Sequence, residues 1–402
     1  MRPDGGRRLL GGHLEPVLFI VLGLLVVLAV MTVLAEPRGP TEQSDGSSTA
    51  PQAETMRARV IEVIEEGAVE LGEGVSQPYQ RLLLRVESGS LAGEEVVVEE
   101  GTINVISQDR LFSVGDRVFL ERTAGPQGDR LYISDFNRTS SLVWIIVLFV
   151  VLVVLVGRGK GLRAMAGTVF SLVIIFGFIL PQIIAGRDPV LVSIAGAVVL
   201  LSVSTYLVYG WNQKAHAAVA GMMLSLALTG ALAWLFARWA RLTGLSEEGG
   251  FLIYELGGDI SLRGIVLGGI IIGSLGVLDD ICVGQASAIF ELANANRGMS
   301  WRQLLRSGLN IGRDHIAAMV NTLLLAYVGA SMPLMLAFMI YQDSFLRRIN
   351  REPIAEEIIR TMVGSIGLVL AVPITALIAS LLARWMVERE RSAAETATVE
   401  QA

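Results

Sequence analysis

The chain has 402 residues, of which 52% are hydrophobic and 17% are charged, and its formal net charge is −6. Because a water-soluble domain has about a quarter charged residues, most of this chain is expected to lie in a membrane. The negative charge gives no broad basic surface, so we expect no nucleic-acid partner. The single cysteine, Cys282, excludes an intrachain disulfide and a cysteine-based metal cluster. The sequence has no Walker-type phosphate-binding motif, and we expect no cofactor.

Several segments are long and apolar enough to cross a membrane, which takes about 20 apolar residues for about 30 Å of hydrocarbon. The sequence therefore predicts an α-helical polytopic membrane protein with about eight transmembrane helices. The segments are 16–35, 142–157, 164–186, 189–209, 216–237, 264–290, 315–341 and 362–386. The end of the first segment resembles a signal-peptide cleavage site, but its long apolar run favours an uncleaved anchor.

Lysine and arginine are more frequent in cytoplasmic loops than in outer loops, which allows the orientation to be predicted. With the N-terminus inside, fourteen of these cations near the span ends lie inside and eight lie in outer loops. We therefore expect residues 1–35 to form a cytoplasmic tail and first span, and residues 387–402 to form a second cytoplasmic tail. The segment 342–361 is an exception, because it carries four arginines outside. A re-entrant segment near 264–290 or 315–341 would place it inside.

Residues 36–54 are rich in small and polar residues and are predicted to be a flexible linker. Residues 55–136 then show short runs in which apolar and polar residues alternate, separated by turn signals such as Gly115-Asp116. This pattern predicts an inserted small β-rich domain, a barrel or a sandwich, on the extracytoplasmic side. The multi-span helical membrane domain is expected at 140–386.

Two adjacent carboxylates, Asp279 and Asp280, interrupt one of the most apolar stretches. Fifteen uncharged residues precede them and ten follow before Glu291. On a helix, one face of this sixth span has glycine, serine or an acidic residue at each step of three or four. That stripe consists of Gly269, Gly273, Gly276, Asp280, Gly284, Ser287 and Glu291.

Glycines at this spacing let another helix backbone approach closely, so we expect the stripe to pack inside the bundle. Gly273, Gly276 and Gly284 would then contact other helices, and Ile271, Ile272 and Leu275 would point outward.

An ionisable residue at membrane depth indicates a functional site, here a proton or cation site with Asp280 ahead of Asp279. Asp314 and Asn321, on a second polar stripe towards the seventh span, are candidate partners. Two structural alternatives remain. The carboxylates could bond to a neighbouring helix or to an arginine, or the helix could end near Leu278 and leave them in water.

Three stretches carry a family resemblance: GVLDDICVGQASAIFEL, LNIGRDHIAAMVNTLLLAYVGASMPLM and REPIAEEIIRTMVGSIGLVLAVPITALIA. Together they resemble the YibE/F-like family of bacterial multi-pass membrane proteins. The resemblance implies an integral protein of the bacterial cell membrane, for which permease-like roles have been suggested. Where a threonine or another small residue is expected near the aspartates, this chain has Cys282 and Gly284. We interpret Cys282 as a small buried hydrophobic residue.

Three functions are compatible with these features. The first is a transporter or permease that moves a small ion or small molecule and uses the acidic site. The second is a non-catalytic membrane component whose β domain binds a protein partner or cell-envelope material. The third is an intramembrane hydrolase, for which Glu356, Glu357 and Arg360 give only an incomplete motif. We expect the lipid bilayer as a partner and no enzymatic activity.

Overall fold

The structure is a computed structural model that describes residues 54–70, 76–101, 110–123, 130–245, 247–256, 260–340 and 344–400. The predicted first span and almost all of the predicted linker lie outside these residues. The contacts between residues divide the chain into two compact units, with the boundary between residues 155 and 156.

The predicted β-rich segment forms one five-stranded antiparallel sheet, which confirms the strand prediction. The strands are β1 (Glu54–Glu70), β2 (Ser76–Val86), β3 (Glu95–Glu100), β4 (Arg117–Thr123) and β5 (Arg130–Phe136). Their order in the sheet is β3-β2-β1-β4-β5, and β3 also lies beside β5, so the sheet curls towards a closed barrel. A five-stranded, partly open barrel is the architecture of OB-type domains, which bind many unrelated ligands, so the fold alone does not identify a ligand.

Alternation along β2 separates the two faces of the sheet as the sequence predicts. Leu82, Leu84 and Val86 are buried, whereas Arg81 and Arg85 are exposed. On the outer face the arginines of β2 form ion pairs with glutamates of β3, at 3.7 Å for Arg81–Glu99 and 2.6 Å for Arg85–Glu95. Exposed ion pairs contribute little stability, so the inner apolar face holds the barrel together.

Glu100, at the end of β3, is a carboxylate inside the β core with only 4% of its surface exposed. It accepts a hydrogen bond of 3.0 Å from the backbone amide of Ile133 on β5, which joins the two strands that complete the curl. Burial raises the pKa of Glu100, while the Ile133 hydrogen bond and the charge of Arg110 oppose that shift.

We expect Glu100→Gln to flatten the pH dependence of β-domain stability. Because the folded-state pKa of Glu100 is raised, its contribution to the free energy of unfolding is greatest at low pH and is lost as the pH rises through that pKa. Glutamine keeps an acceptor for the Ile133 amide but does not titrate. Thermal unfolding from about pH 4 to about pH 8 measures the slope. Glu99→Gln, on the exposed face, is the control, and an unchanged slope in Glu100→Gln would contradict the prediction.

The second unit is helical. The helices of the described residues are α1 (Thr139–Ile174), α2 (Leu180–Ile184), α3 (Pro189–Tyr209), α4 (Gln213–Trp239), α5 (Glu247–Leu256), α6 (Leu262–Ala295), α7 (Trp301–Ala330), α8 (Met332–Ile340), α9 (Phe345–Ile349) and α10 (Glu352–Glu400). A π-helical turn, Ile175–Ile179, joins α1 to α2. Polar residues before the long helices set their starts, since Asp188, Asn212, Ser261 and Ser300 each accept a hydrogen bond from the first turn.

Among the described residues, five helical segments are long and apolar enough to cross a membrane. They become six if α7 and α8, bent by 61°, form one span. The count of eight is therefore not confirmed. The first predicted span, 16–35, lies outside the described residues. Two other predicted spans, 142–157 and 164–186, fall in one helical region, Thr139–Ile184. The backbone of this region departs from helical geometry at Arg158, where φ is 48°.

Small residues fix the closest helix contacts. α4 and α10 interlock twice: Gly221 faces Thr375, and Thr229 faces Gly367, so that a Cβ at either glycine would overlap the threonine. Gly268 of α6 faces Ser193 of α3 in the same way. α3, α4 and α10 thus pack around α6, and the N-terminal half of α7 packs against α6 and α10.

Candidate functional site

Asp279 and Asp280 lie within α6, which continues without a break to Ala295. The alternative in which the helix ends near Leu278 is therefore wrong. Asp279 is half-buried, and its Oδ1 lies 3.4 Å from the Thr205 hydroxyl of α3. That hydroxyl also lies 2.7 Å from the Leu201 carbonyl, its i−4 backbone acceptor. Asp280, the next residue of the helix, is exposed.

The glycine–acid stripe is the open face of α6, so the prediction that it is buried was wrong. Gly269, Gly273 and Gly276 are exposed, whereas Ile271 and Leu275 are buried. A Cβ built on Gly269, Gly276 or Gly284 would meet no atom within 4 Å. The reason is volume: the isoleucine and leucine side chains fill the space between α6 and its neighbours α3, α4 and α10.

The exposed stripe of α6, named the groove here, leaves most of its glycine backbone without a covering side chain. The Tyr327 hydroxyl of α7 lies beside Gly273 and Gly364 at one end. His315 of α7 is within electrostatic range of Asp280, and Tyr209 of α3 is within range of both aspartates. Polar groups of α3 and α7 therefore lie near the acid pair.

The other predicted site residues are placed differently. Asp314 and Asn321 are exposed on α7, and no described hydrogen bond joins either of them to the aspartates. Ser287 is half-buried on the stripe, and Glu291 is exposed at the next step. The structure therefore keeps Ser287 and Glu291 in line with Asp280, whereas Asp314 and Asn321 have no described hydrogen bond to the acid pair.

Glu291 lines a cleft with a volume of about 950 Å³. Lys160, Arg163 and Lys214 also line it and supply most of its charge. Tyr209 also lines the cleft, and it lies on α3 one helical turn after Thr205, the residue that contacts Asp279. The remaining lining residues are Gly161, Ala164, Val208, Trp211, Asn212, Gln213, His216, Phe290, Asn294 and Met386. Glu291 is thus both the last residue of the stripe and part of the lining of this cleft.

Several polar residues inside the helical unit were not predicted as site residues. Thr375 of α10 approaches the Cys282 sulfur at 3.1 Å, and Gln285 donates a hydrogen bond of 2.8 Å to the Gly308 carbonyl. Cys282 is fully buried, in agreement with its interpretation as a small core residue. Because single hydroxyl residues are common in apolar helices, no sequence pattern distinguished Thr205 from the others.

The described parts of the chain contain no group of three or more His, Cys, Asp or Glu side chains arranged to hold a metal ion. Two carboxylates and a threonine hydroxyl offer fewer oxygens than the six to eight that Ca²⁺ takes. The donor set fits a proton, or a monovalent cation that keeps part of its water.

The acid pair and most of the helical unit fall within the match to one family model. The family model described as YibE/F-like protein matches residues 145–385, more than half of the chain. The chain belongs to this family. No curated protein and no solved structure matches it. The resemblance in the three quoted stretches is thereby confirmed, and the apolar helices of this YibE/F-like protein are those of a membrane protein.

The residues of the incomplete hydrolase motif form a local ion-pair cluster in this YibE/F-like protein. Arg360 of α10 pairs with Glu356 at 2.5 Å and also with Glu357. Both carboxylates thus share one guanidinium in the first turns of α10. Such a cluster is an ordinary way to stabilise the first turns of a helix that begins with acidic residues.

Proposed function

We propose that this YibE/F-like protein is a transporter or permease of the bacterial cell membrane in which Asp279 and Asp280 form a proton or cation site. One observation carries the proposal: two adjacent carboxylates lie within an apolar helix, and neither forms an ion pair with any described residue. An unpaired carboxylate at membrane depth is costly, and such residues mark ion and proton pathways. A purely structural role would favour an arginine partner.

The depth of the pair supports the same proposal. Asp280 precedes Glu291 by eleven residues, or about 16 Å of helix. Asp279 contacts Thr205, which lies four residues, or about 6 Å, before Tyr209 at the end of α3. The pair therefore lies inside the apolar helices, about one turn from the cleft that Tyr209 lines. The exposed stripe between Asp280 and Glu291 gives an ion a route that avoids the packed helix contacts.

The two carboxylates have different surroundings, which suggests different tasks. Asp279 lies against Thr205 and the core, whereas Asp280 faces the groove. Two adjacent carboxylates bind protons as a coupled pair, because ionising both at low dielectric is unfavourable. In this proposal Asp280 exchanges the proton or cation with the groove, and Asp279 adjusts how tightly the pair holds it.

Asp280→Asn is expected to lower ion-driven flux at least about tenfold, because an amide keeps the size of the side chain but carries no charge. Asp279→Asn should have a smaller effect. Flux is measured in liposomes under imposed proton or cation gradients, with a pH-sensitive dye inside. Asp314→Asn, which removes a carboxylate from the exposed face of α7, is the matched control.

Thermal unfolding of the same variants separates a loss of function from a loss of fold. Normal flux in Asp280→Asn would eliminate the intramembrane charge site. Reduced folded yield without a specific loss of flux would instead assign the pair a packing role.

A second candidate function rests on the β domain, which has its own buried core and needs no membrane to form it. In that proposal the helices anchor the protein, and the barrel binds a partner or cell-envelope material on the extracytoplasmic side. In either proposal both termini are cytoplasmic and the protein is not an enzyme.

A further inference from the structure

The cleft beside Glu291 has an excess of positive charge that the acid-pair proposal does not use. Lys160 and Arg163 of α1 and Lys214 of α4 line it, and among the described residues that line it Glu291 is the one carboxylate. Within the described ranges, none of these three cations forms an ion pair. Three unpaired cations against one carboxylate make the cleft attractive to an anion.

The cations come from two helices that both line the cleft. Lys160 and Arg163 are three residues apart, so they share a face of α1, and Lys214 is in the first turn of α4. An arginine fork with two ammonium groups nearby suits a phosphate group, which has several acceptor oxygens and one or two negative charges.

The aromatic residues of the cleft place it at the depth of lipid headgroups. The Trp211 side chain is 79% exposed at the cleft, and Tyr209 is exposed beside it. Exposed tryptophan and tyrosine are enriched where a membrane protein meets the headgroup layer. Basic pockets between helices at that level bind anionic headgroups.

We propose that this cleft is a binding site for a phosphate-bearing anion, either the headgroup of an anionic phospholipid or a free phosphate compound. The proposal does not depend on transport. Glu291 forms the boundary of the anion site on the side of Asp280, because its carboxylate repels an anion that moves from the cleft towards that residue. The cleft therefore holds an anion at the membrane surface, and the groove beyond it favours cations.

Purified full-length protein in detergent tests the proposal by native mass spectrometry and by thermal shift. The probes are phosphatidylglycerol, zwitterionic phosphatidylcholine and inorganic phosphate. Phosphatidylglycerol is expected to bind more tightly than phosphatidylcholine, and Lys160→Gln/Arg163→Gln/Lys214→Gln is expected to weaken that binding at least about tenfold. Arg187→Gln, which removes a cation outside the cleft, is the control.

A comparison of the probes shows whether the bound anion is a lipid headgroup or a free phosphate compound. Inorganic phosphate that binds wild type and not the triple variant assigns the site to a free phosphate compound. Binding of phosphatidylglycerol alone assigns it to a headgroup. Equal binding of both lipids and of phosphate to wild type and to the triple variant overturns the proposal. If the triple variant does not fold, the three single variants and Arg163→Lys, which keeps charge but loses the fork, decide in its place.

Discussion

Gly221→Leu and Gly367→Leu should each sharply reduce the yield of folded protein, whereas Gly276→Leu should leave stability nearly unchanged. A Cβ at Gly221 overlaps the Thr375 side chain, and a Cβ at Gly367 overlaps Thr229. Overpacking at such a contact costs about 1–3 kcal/mol and more where the backbones cannot separate. Here the two contacts lie on the same helix pair, α4 and α10, so neither can relax without disturbing the other.

Gly276 offers the matched control because its Cβ would meet open space. Leucine there also removes the helix cost of glycine, about 1 kcal/mol, so a small gain in stability is expected. Size-exclusion profiles and thermal unfolding in detergent measure the difference. If Gly276→Leu is as damaging as Gly221→Leu, the open face of α6 is covered in the functional protein, for example by a second copy.

A double substitution tests whether the contact itself is responsible. Gly221→Ala should destabilise the protein, and adding Thr375→Ala should restore much of the loss, because the new methyl group occupies the space that the threonine vacates. The coupling energy between contacting residues in such cycles is about 0.5–3 kcal/mol. Purely additive effects would show that α4 and α10 do not interlock at this point.

The β sheet and the apolar helices could be predicted because each has a short-range pattern. The alternation of Leu82, Leu84 and Val86 with exposed arginines has the period of a strand, and it needs no knowledge of the partner strands. The strand order could not be predicted, since β1 pairs with β4 across a long stretch of sequence. The carboxylate of Glu100 in the core was also missed, because its partner, the Ile133 amide, is a backbone group on a distant strand.

The acid pair could be found from the sequence, but not its surroundings. Asp279 and Asp280 are conspicuous in an apolar run, and the structure keeps them within one helix. Small residues at helical spacing show that a helix can be approached closely, but they do not show from which side. The positions of α3, α4 and α10 decide that Ile271 and Leu275 are buried and that the glycines are open.

The sequence alone did not show that the cations of the cleft lie close together. Lys160, Arg163 and Lys214 enter the sequence analysis only as markers of orientation, which needs no knowledge of where they meet. Their convergence around one cleft depends on the packing of α1 against α3, where Gly167 approaches Ser204.

Phe112→Ala should unfold the β domain and so distinguish the two proposed functions. Phe112 is 2% exposed, and its ring centroid lies 4.5 Å from that of Phe136. The side chain of Gln80 bonds to both the amide and the carbonyl of Phe112, at 2.7 and 3.1 Å. Replacing a buried phenylalanine with alanine costs about 3–5 kcal/mol. That is a large part of the ~5–15 kcal/mol that stabilises a typical domain.

Val97→Ala is the control within the same domain, because Val97 lies on the outer face and is 46% exposed. Limited proteolysis should cut Phe112→Ala between residues 54 and 136 and leave Val97→Ala intact. A transporter whose site is in α6 should retain ion flux in Phe112→Ala liposomes, since the helical unit has a separate core. A membrane component that acts through its barrel should instead lose partner binding in Phe112→Ala and keep it in Asp280→Asn. Loss of flux in Phe112→Ala, with the helical unit still folded, would show that the β domain takes part in transport and would contradict the assignment of function to the acid pair alone.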